Sequence, residues 1–360
     1  MPTLLDRFDP RRNSFDLLRL SFALLVACSH GLAIHTGSQP RFGLSTLGDF
    51  GLDGFFILSG FLITRSWFTL ESLPRFAWHR FLRIMPGFWV CLLVVGLVVA
   101  PVAAVLRGMS PLVAFTGQPS ALSYVFGNAG LLIVQYDIAG ILVDLPREDS
   151  FNGSLWTLAF EAFCYALVGA LGTAGVLRRR PGLVPAATAV LLVLTAIQEA
   201  GLPVLINDRV LRLVLVFLLG ATAYLYAHRV PVHGGIAAAC AALFLVSVAV
   251  FDDYRVLGAA PLAYLFLWFG VAFPWPVSMR ADLSYGLYIY HWPMFQLLGV
   301  TALGELPTPV FLPAALAITL LPAAASWYLV EKPALRRKHS DVPDRIAVRL
   351  GAARARSGRR

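Results

Sequence analysis

Long apolar stretches alternate with short polar segments along most of the chain. A membrane-spanning helix needs about 20 predominantly apolar residues, and a helix satisfies its own backbone hydrogen bonds inside a bilayer. The pattern therefore predicts an all-α polytopic membrane protein with about ten transmembrane helices. The predicted stretches are residues 17–36, 50–69, 87–106, 154–176, 183–198, 209–228, 235–251, 257–274, 283–303 and 309–330.

Composition supports a membrane protein. Hydrophobic residues make up 58% of the chain, charged residues make up 14%, and the mean hydropathy is +0.73. Soluble domains carry about 25% charged residues, so an ordinary soluble protein is excluded. The N-terminal sequence MPTLLDRFDPRRN begins with charges and helix breakers, unlike a signal peptide, so we expect the first apolar stretch to remain in the mature protein.

Basic residues accumulate in alternate loops. If the N-terminus is cytoplasmic, 23 of the 29 Lys and Arg residues lie on the cytoplasmic side. Cytoplasmic loops normally carry this excess, so both termini are predicted to be cytoplasmic. The net charge of +9 then reflects orientation and contact with membrane lipids, and no nucleic-acid partner is expected. Arginine outnumbers lysine 27 to 2, which is typical of a GC-rich bacterial genome. The expected location is a bacterial inner membrane.

Residues 107–153 are predicted to form an outer lobe, although residues 120–142 are apolar. A further span there would move Arg178, Arg179 and Arg180 outside and break the charge pattern. The chain is thus predicted to be one integral-membrane domain over residues 1–337. A basic cytoplasmic tail, predicted to be disordered, follows at 338–360.

Two ionisable residues share one face of the first predicted helix. Arg19 and His30 are eleven positions apart, which corresponds to three helical turns plus 20° and to roughly 16 Å along the axis. Arg19 falls near the membrane boundary, whereas His30 falls deep in the hydrocarbon. An ionisable residue at that depth usually marks a pathway or a reaction centre, and the structural alternative is a hydrogen bond within the bundle.

Arg80 and Arg83 lie on one helix face before the third span. Juxtamembrane arginines often only orient a helix and reach for lipid phosphates, but their forked guanidinium groups also suit a phosphorylated ligand. The four cysteines lack paired metal-ligand spacing, so no metal site is expected.

Polar residues in the second and fourth spans have similar alternatives. Asp53 either caps a helix end or faces an outer ligand, and Ser59 and Gly60 indicate close helix packing. Glu161 lies roughly 10 Å below the outer boundary by helix rise, where a carboxylate needs a partner such as a histidine.

The last two spans add four more candidates. Tyr288, His291 and Trp292 fall within one turn and could simply hold the bundle together by hydrogen bonds. Pro293 predicts a kink that frees backbone carbonyls. Glu331 at the inner end of the tenth span is expected to form a structural ion pair with a cytoplasmic arginine.

Six sequence blocks occur in one order between about residues 16 and 337. They are Arg19 with His30, GLDGFFILSGFLIT, Arg80 with Arg83 and Pro86, SLWTLAFEAFCY, SYGLYIYHWP and WYLVEKP. Together they resemble the membrane-bound acyltransferase 3 family in its stand-alone form, without a fused hydrolase-like domain. The resemblance implies a ten-helix O-acyltransferase that moves an acyl group, commonly acetyl from acetyl-CoA, to hydroxyls of extracytoplasmic glycans. Some members instead modify small molecules such as macrolides.

The resemblance and the predicted topology together suggest roles for these residues. Arg19, Arg80 and Arg83 are expected to bind acyl-CoA on the cytoplasmic side, with its pantetheine arm reaching toward His30. His30 is expected to act as a general base or to carry the acyl group transiently, and both roles stay open.

The remaining candidates are assigned either to the orientation of His30 or to the acceptor side. Glu161 or Tyr288 is expected to orient the His30 ring. Asp53 and the lobe at 107–153 are expected to face the acceptor, a glycan or lipid-linked sugar outside the membrane.

Two other functional classes are alternatives to an enzyme. A secondary transporter also buries His, Glu and Asp, but it predicts inverted repeats, and the sequence shows no such symmetry. A scaffold subunit of a glycan-export complex would leave His30 dispensable. The acceptor, the acyl chain length and the oligomeric state stay open.

Overall fold

The computed structural model describes residues 1–147, 149–273, 281–340 and 342, which are folded almost entirely into helices. The helices are α1 (Leu4–Arg7), α2 (Phe15–Thr36), α3 (Leu47–Leu70), α4 (Leu73–Val94), α5 (Ala100–Leu106), α6 (Val113–Thr116), α7 (Ala121–Asn128), α8 (Thr157–Thr173), α9 (Val176–Arg179), α10 (Leu183–Glu199), α11 (Asp208–Leu225), α12 (Gly234–Val250), α13 (Arg255–Ala272), α14 (Ser284–Gly299), α15 (Thr308–Ser326) and α16 (Lys332–Arg336).

Shorter elements connect these helices. π-helical turns at Val95–Val99 and Trp327–Glu331 join α4 to α5 and α15 to α16. 3₁₀ turns lie at Ala302–Glu305 and Arg337–His339. The strands β1 (Arg41–Phe42) and β2 (Ser45–Thr46) pair in antiparallel fashion just before α3.

Within the part of the chain that the structure describes, ten helices have 16 or more residues, and each overlaps one predicted apolar stretch. Three of them, α8, α10 and α12, are apolar but have 17 residues each. The prediction of a helical multi-pass membrane protein is confirmed, whereas the number of spans and the side of the termini stay predictions. The described helical segments long and apolar enough to cross a membrane are Phe15–Thr36, Leu47–Leu70, Leu73–Leu106, Arg255–Ala272 and Thr308–His339.

The apolar run at 120–142 does not form a long helix. It holds the eight-residue helix α7, which ends at Asn128. The Asn128 amide donates to the carbonyl of Gln135 at 2.7 Å, and its oxygen accepts from the backbone N–H of Val134 at 2.9 Å. These bonds stabilise a turn after Asn128, so α7 does not continue as a longer helix.

Helices α3 and α11 meet at two glycines. A Cβ on Gly60 would lie 2.0 Å from the carbonyl oxygen of Phe217, and a Cβ on Gly220 would lie 2.0 Å from that of Ile57. The two backbones therefore touch directly, as at the small-residue interfaces of membrane helices. The contact agrees with the close packing that the sequence indicated at Gly60.

A buried ion network ties α3 to α11 and α13. Asp53 is 0% exposed, and its carboxylate accepts from Arg212 Nε at 2.9 Å and from Arg255 Nε at 2.6 Å. The Tyr254 hydroxyl donates to the same carboxylate at 2.6 Å. Breaking a buried pair by removing one partner costs about 3–5 kcal/mol, so this network is a structural junction of three helices.

The C-terminal helical segment, residues 327–339, packs against α4. The indole Nε1 of Trp78 donates to the carbonyl of Arg337 at 3.1 Å, and His79 Nε2 lies 3.2 Å from the carbonyl of Lys338. The predicted tail at 338–360 begins within this segment. Its residues 341 and 343–360 lie outside the described residues.

Replacing Gly60 by alanine is expected to destabilise the fold by about 1–3 kcal/mol, the usual cost of overpacking, because the added methyl group would overlap the Phe217 carbonyl. Thermal unfolding of the purified protein in detergent measures the change. Gly234→Ala is the matched control, since a Cβ there meets nothing within 4 Å. Equal melting temperatures for Gly60→Ala and wild type would contradict direct backbone contact.

Candidate active site

A cavity of about 300 Å³ lies between α2, α3, α4, α8, α14 and the C-terminal helical segment. All three arginines predicted to bind the donor line it, together with Ser59, Glu161 and Tyr288. Residues far apart in sequence thus share one space. The charged side chains among its described lining residues are Arg19, Arg80, Arg83, Lys338, Glu161 and Asp282.

Asp282 brings two of the arginines together. Its Oδ2 lies 2.7 Å from Arg83 Nη2 and 3.3 Å from Arg19 Nη1. Its Oδ1 accepts from the Ser284 hydroxyl at 2.6 Å and the Ser284 backbone N–H at 3.3 Å, which ties it to the first residue of α14. Sequence reasoning missed Asp282, because its partners Arg19 and Arg83 lie far away in the sequence.

The charge state of Asp282 follows from these contacts. Burial raises the pKa of its carboxyl, but the charges of Arg19 and Arg83 and the hydrogen bond from Ser284 lower it by more. The pKa therefore lies below the ordinary value of 3.8, and the carboxylate is ionised at neutral pH. One negative charge is shared between two guanidinium groups.

Arg80 has little ionic compensation. Its guanidinium carbon lies 5.6 Å from the ring centre of Tyr165 and 5.8 Å from that of Phe76, and Nη2 lies 3.5 Å from Ser66 Oγ. Its buried Nε has no hydrogen-bond partner among the described residues. Glu161, the carboxylate on the facing wall, accepts instead from the Tyr165 hydroxyl. The cavity therefore holds an excess of positive charge that suits an anionic ligand.

His30 pairs with a second histidine. Its Nδ1 lies 2.8 Å from Nε2 of His291, and the two rings are stacked with centres 5.1 Å apart. The edge of Trp292 packs against the His30 ring at 4.8 Å between centres. His291 is 0% exposed, whereas His30 is half-buried.

A carbonyl oxygen determines which ring nitrogens carry protons. His291 Nδ1 lies 3.1 Å from the carbonyl of Leu287, which can only accept, so Nδ1 is the donor. A buried ring without a counter-ion favours the neutral form, in which Nε2 accepts. His30 Nδ1 must then donate to it, and His30 Nε2 is left with a free lone pair. That nitrogen is the candidate base or nucleophile.

The proline in α14 also helps to position His291. Pro293 cannot donate to the carbonyl of Ile289, four residues earlier. Asn152 Nδ2 donates to that carbonyl at 2.8 Å, and Cys91 Sγ lies 3.3 Å from it. The carbonyl that Pro293 frees, as predicted from the sequence, thus anchors α14 to α4 and to the segment before α8.

Tyr288 connects the cavity to the histidine pair. Its hydroxyl lies 2.5 Å from Thr157 Oγ1 and donates to the carbonyl of Ser154 at 3.1 Å. Its ring centre is 6.0 Å from that of His291, three residues later. His30 itself does not form part of the cavity wall.

Several predicted residues have other neighbours than expected. The described side-chain hydrogen bonds of Glu161 and Tyr288 go to Tyr165, Thr157 and Ser154, and the described hydrogen bond of the His30 ring goes to His291. Both oxygens of Asp53 are bonded to arginines, and an acceptor would have to displace one of them.

Glu331 does not form the expected ion pair with an arginine among the described residues. It accepts instead from the Ser326 hydroxyl at 2.8 Å, because the intervening turn is π-helical and brings the two side chains together. In the described ranges, no group of three or more His, Cys, Asp or Glu residues is arranged to hold a metal ion.

Comparison with known proteins identifies the class. The model of an acyltransferase domain family matches residues 12–328, which is most of the chain. The chain belongs to the acyltransferase 3 family. It is 29% identical to nodulation protein 10 of Rhizobium leguminosarum bv. viciae over 372 residues, which covers 94% of this chain and 97% of that protein.

A second relative is an O-acetyl transferase of Shigella phage Sf6. It is 27% identical over 342 residues, which covers 91% of this acyltransferase and 97% of the phage protein. No solved structure matches the chain significantly. The family prediction is confirmed, and the protein is a multi-pass membrane enzyme that transfers acyl groups. The matched region contains the three arginines and two acids that line the cavity and both members of the histidine pair, but not Lys338.

Proposed function

We propose that this acyltransferase moves an acetyl group from cytoplasmic acetyl-CoA to a hydroxyl of a cell-surface or secreted carbohydrate. The observation that carries the proposal is a single cavity. It holds Arg19, Arg80 and Arg83, and its Tyr288 wall lies one helical turn from the His30–His291 pair.

The charge of the cavity supports acyl-CoA as the donor. Coenzyme A carries a 3′-phosphate and a diphosphate, and guanidinium groups bind phosphate oxygens through paired hydrogen bonds. Arg19 and His30 are roughly 16 Å apart along α2 by helix rise. The extended pantetheine arm is long enough to carry a thioester over such a distance.

His30 would act through its Nε2 lone pair. As a general base, it would take the proton of the acceptor hydroxyl while the oxygen attacks the thioester carbonyl and the C–S bond breaks. The coenzyme A thiolate leaves and then takes up the proton. As an acyl carrier, the same nitrogen would attack the thioester first and pass the acyl group to the hydroxyl afterwards. Both routes require the tautomer that His291 selects.

The acceptor side of the proposal is supported by a relative and by the predicted topology. The phage relative is named an O-acetyl transferase, which supports acetyl as the acyl group and oxygen as the acceptor atom. A glycan or lipid-linked sugar would approach from the outer side, where the lobe at residues 107–153 would lie. This lobe includes Asn152, which donates to the Ile289 carbonyl of α14.

We also propose that ten helices span a bacterial inner membrane, with both termini cytoplasmic and residues 1–337 forming one domain. The Lys and Arg distribution supports this orientation. Two of the six arginines that this orientation puts outside, Arg212 and Arg255, form ion pairs with Asp49, Asp53 and Asp253.

His30→Ala is expected to lower acyl transfer by about 100-fold or more, the usual contribution of a general base or nucleophile. Membranes would be supplied with labelled acetyl-CoA and the producing cell's glycans, and label transfer would be compared with wild type. His35→Ala is the matched control, because His35 on the same helix contacts Thr308 and the Gly304 carbonyl instead. Equal transfer by His30→Ala and wild type would refute the catalytic assignment.

Arg80→Ala combined with Arg83→Ala is expected to weaken acetyl-CoA binding by at least about tenfold, because charge-assisted hydrogen bonds contribute about 1.5–3 kcal/mol each. Calorimetric titration of the purified protein measures this, and acceptor binding should not change. Arg179→Ala is the control, since that side chain is exposed. Loss of acceptor binding with unchanged acetyl-CoA binding would overturn the orientation.

His291→Leu is expected to reduce kcat by about tenfold or more with little change in the KM for acetyl-CoA, since it removes the acceptor for His30 Nδ1. His291→Gln should retain most of the activity, because its carboxamide oxygen can accept the same hydrogen bond. Steady-state kinetics on folded, monodisperse protein separates the two. Identical losses in both variants would argue that His291 only fills space.

A further inference from the structure

Lys338 places a fourth cation in the donor cavity. It lines the same space as Arg19, Arg80 and Arg83, although it lies ten residues beyond the end of the family match at residue 328. Helix α4, which carries Arg80 and Arg83, also contacts the backbone at Arg337 and Lys338. Trp78 donates to the carbonyl of Arg337, and the ring of His79 lies 3.2 Å from the carbonyl of Lys338.

We propose that the Lys338 ammonium binds phosphate oxygens of the nucleotide part of acyl-CoA, so that the C-terminal segment completes the donor site. The inference rests on the proposed function, because it takes the cavity to be the acyl-CoA site. It adds Lys338 and the C-terminal helical segment to a donor site that the proposed function assigns to three arginines.

The charges around Lys338 support this role. Asp282 is bonded to Arg83 and Arg19, and Glu161 is bonded to Tyr165. Among the described residues, the Lys338 ammonium therefore has no carboxylate bonded to it. Cations close together in a cavity repel one another strongly because the dielectric constant there is low. A phosphate or diphosphate would replace this repulsion by attraction.

The other lysine of the chain lies outside the cavity. Lys332 is six residues earlier, and its Nζ lies 5.5 Å from the ring centre of Tyr328. It is not part of the cavity wall. A chain with only two lysines offers an internal comparison in which one amine should respond to the ligand and the other should not.

The first test uses the unmodified wild-type protein in detergent. An amine-reactive ester acetylates both lysines, and mass spectrometry measures the rate at each with and without saturating coenzyme A. We expect coenzyme A to slow modification of Lys338 at least about fivefold, because ion-paired amines are poor nucleophiles. The rate at Lys332 should not change. Equal rates at Lys338 with and without bound coenzyme A would overturn the inference.

The second test measures kcat/KM with two donors. Lys338→Ala is expected to lower kcat/KM for acetyl-CoA by about tenfold, the value of one charge-assisted hydrogen bond. It should leave kcat/KM for acetyl-pantetheine unchanged, since that thioester has no phosphate. Lys338→Arg should restore most of the loss. Arg337→Ala is the matched control, because the neighbouring side chain is exposed and does not line the cavity.

The outcomes separate this inference from the proposed function. If wild type neither binds acetyl-CoA nor transfers its acyl group, the proposed function fails. If wild type does both, and Arg80→Ala weakens binding while Lys338→Ala does not, only the role of Lys338 fails. An equal loss with acetyl-CoA and acetyl-pantetheine in Lys338→Ala would show that the residue supports the fold instead.

Discussion

The carboxylate of Asp282 is the contact on which the proposed donor cavity depends. It binds Arg19 of α2 and Arg83 of α4, and it is hydrogen-bonded to Ser284, the first residue of α14. One side chain therefore positions three helices relative to one another. The same helices carry the rest of the proposed machinery, including the histidine pair. Without this carboxylate, two guanidinium groups would face each other in a poorly solvated space, where their repulsion is strong.

Two clusters of buried charge differ in their balance, and the difference assigns them different roles. At Asp53, the carboxylate is bonded to Arg212, Arg255 and a tyrosine, and the same two arginines also pair with Asp49 and Asp253, so no positive charge is left over for an anionic ligand. In the donor cavity, the described lining residues include four cations and two carboxylates, and both carboxylates are already bonded. An unbalanced buried cluster is costly unless an anion joins it. A cluster with balanced charges holds helices together, whereas a cluster with excess positive charge is suited to bind an anionic ligand.

Local properties of the sequence predicted the helices and the shared face of Arg19 and His30, because hydropathy and periodicity are encoded locally. Partners distant in sequence were not predictable in this way. His291 was assigned a packing role, yet it contacts a residue 261 positions away. Glu331 was expected to pair with an arginine, but its described hydrogen bond goes to Ser326 across a π-helical turn. The backbone geometry of such a turn cannot be predicted from composition. Lys338 was grouped with a basic tail, since nothing nearby marks where the last helix meets α4.

The carbonyl that Pro293 leaves free has a mechanical consequence. Asn152, at the edge of the lobe assigned to the acceptor, grips the same helix that holds His291 against His30. A displacement of that edge would therefore shift α14 and, with it, the ring that is hydrogen-bonded to His30. Coupling of this kind is reciprocal by thermodynamic necessity. In the proposed mechanism, acceptor binding at the lobe and the position of the proton on His30 would both depend on the position of α14.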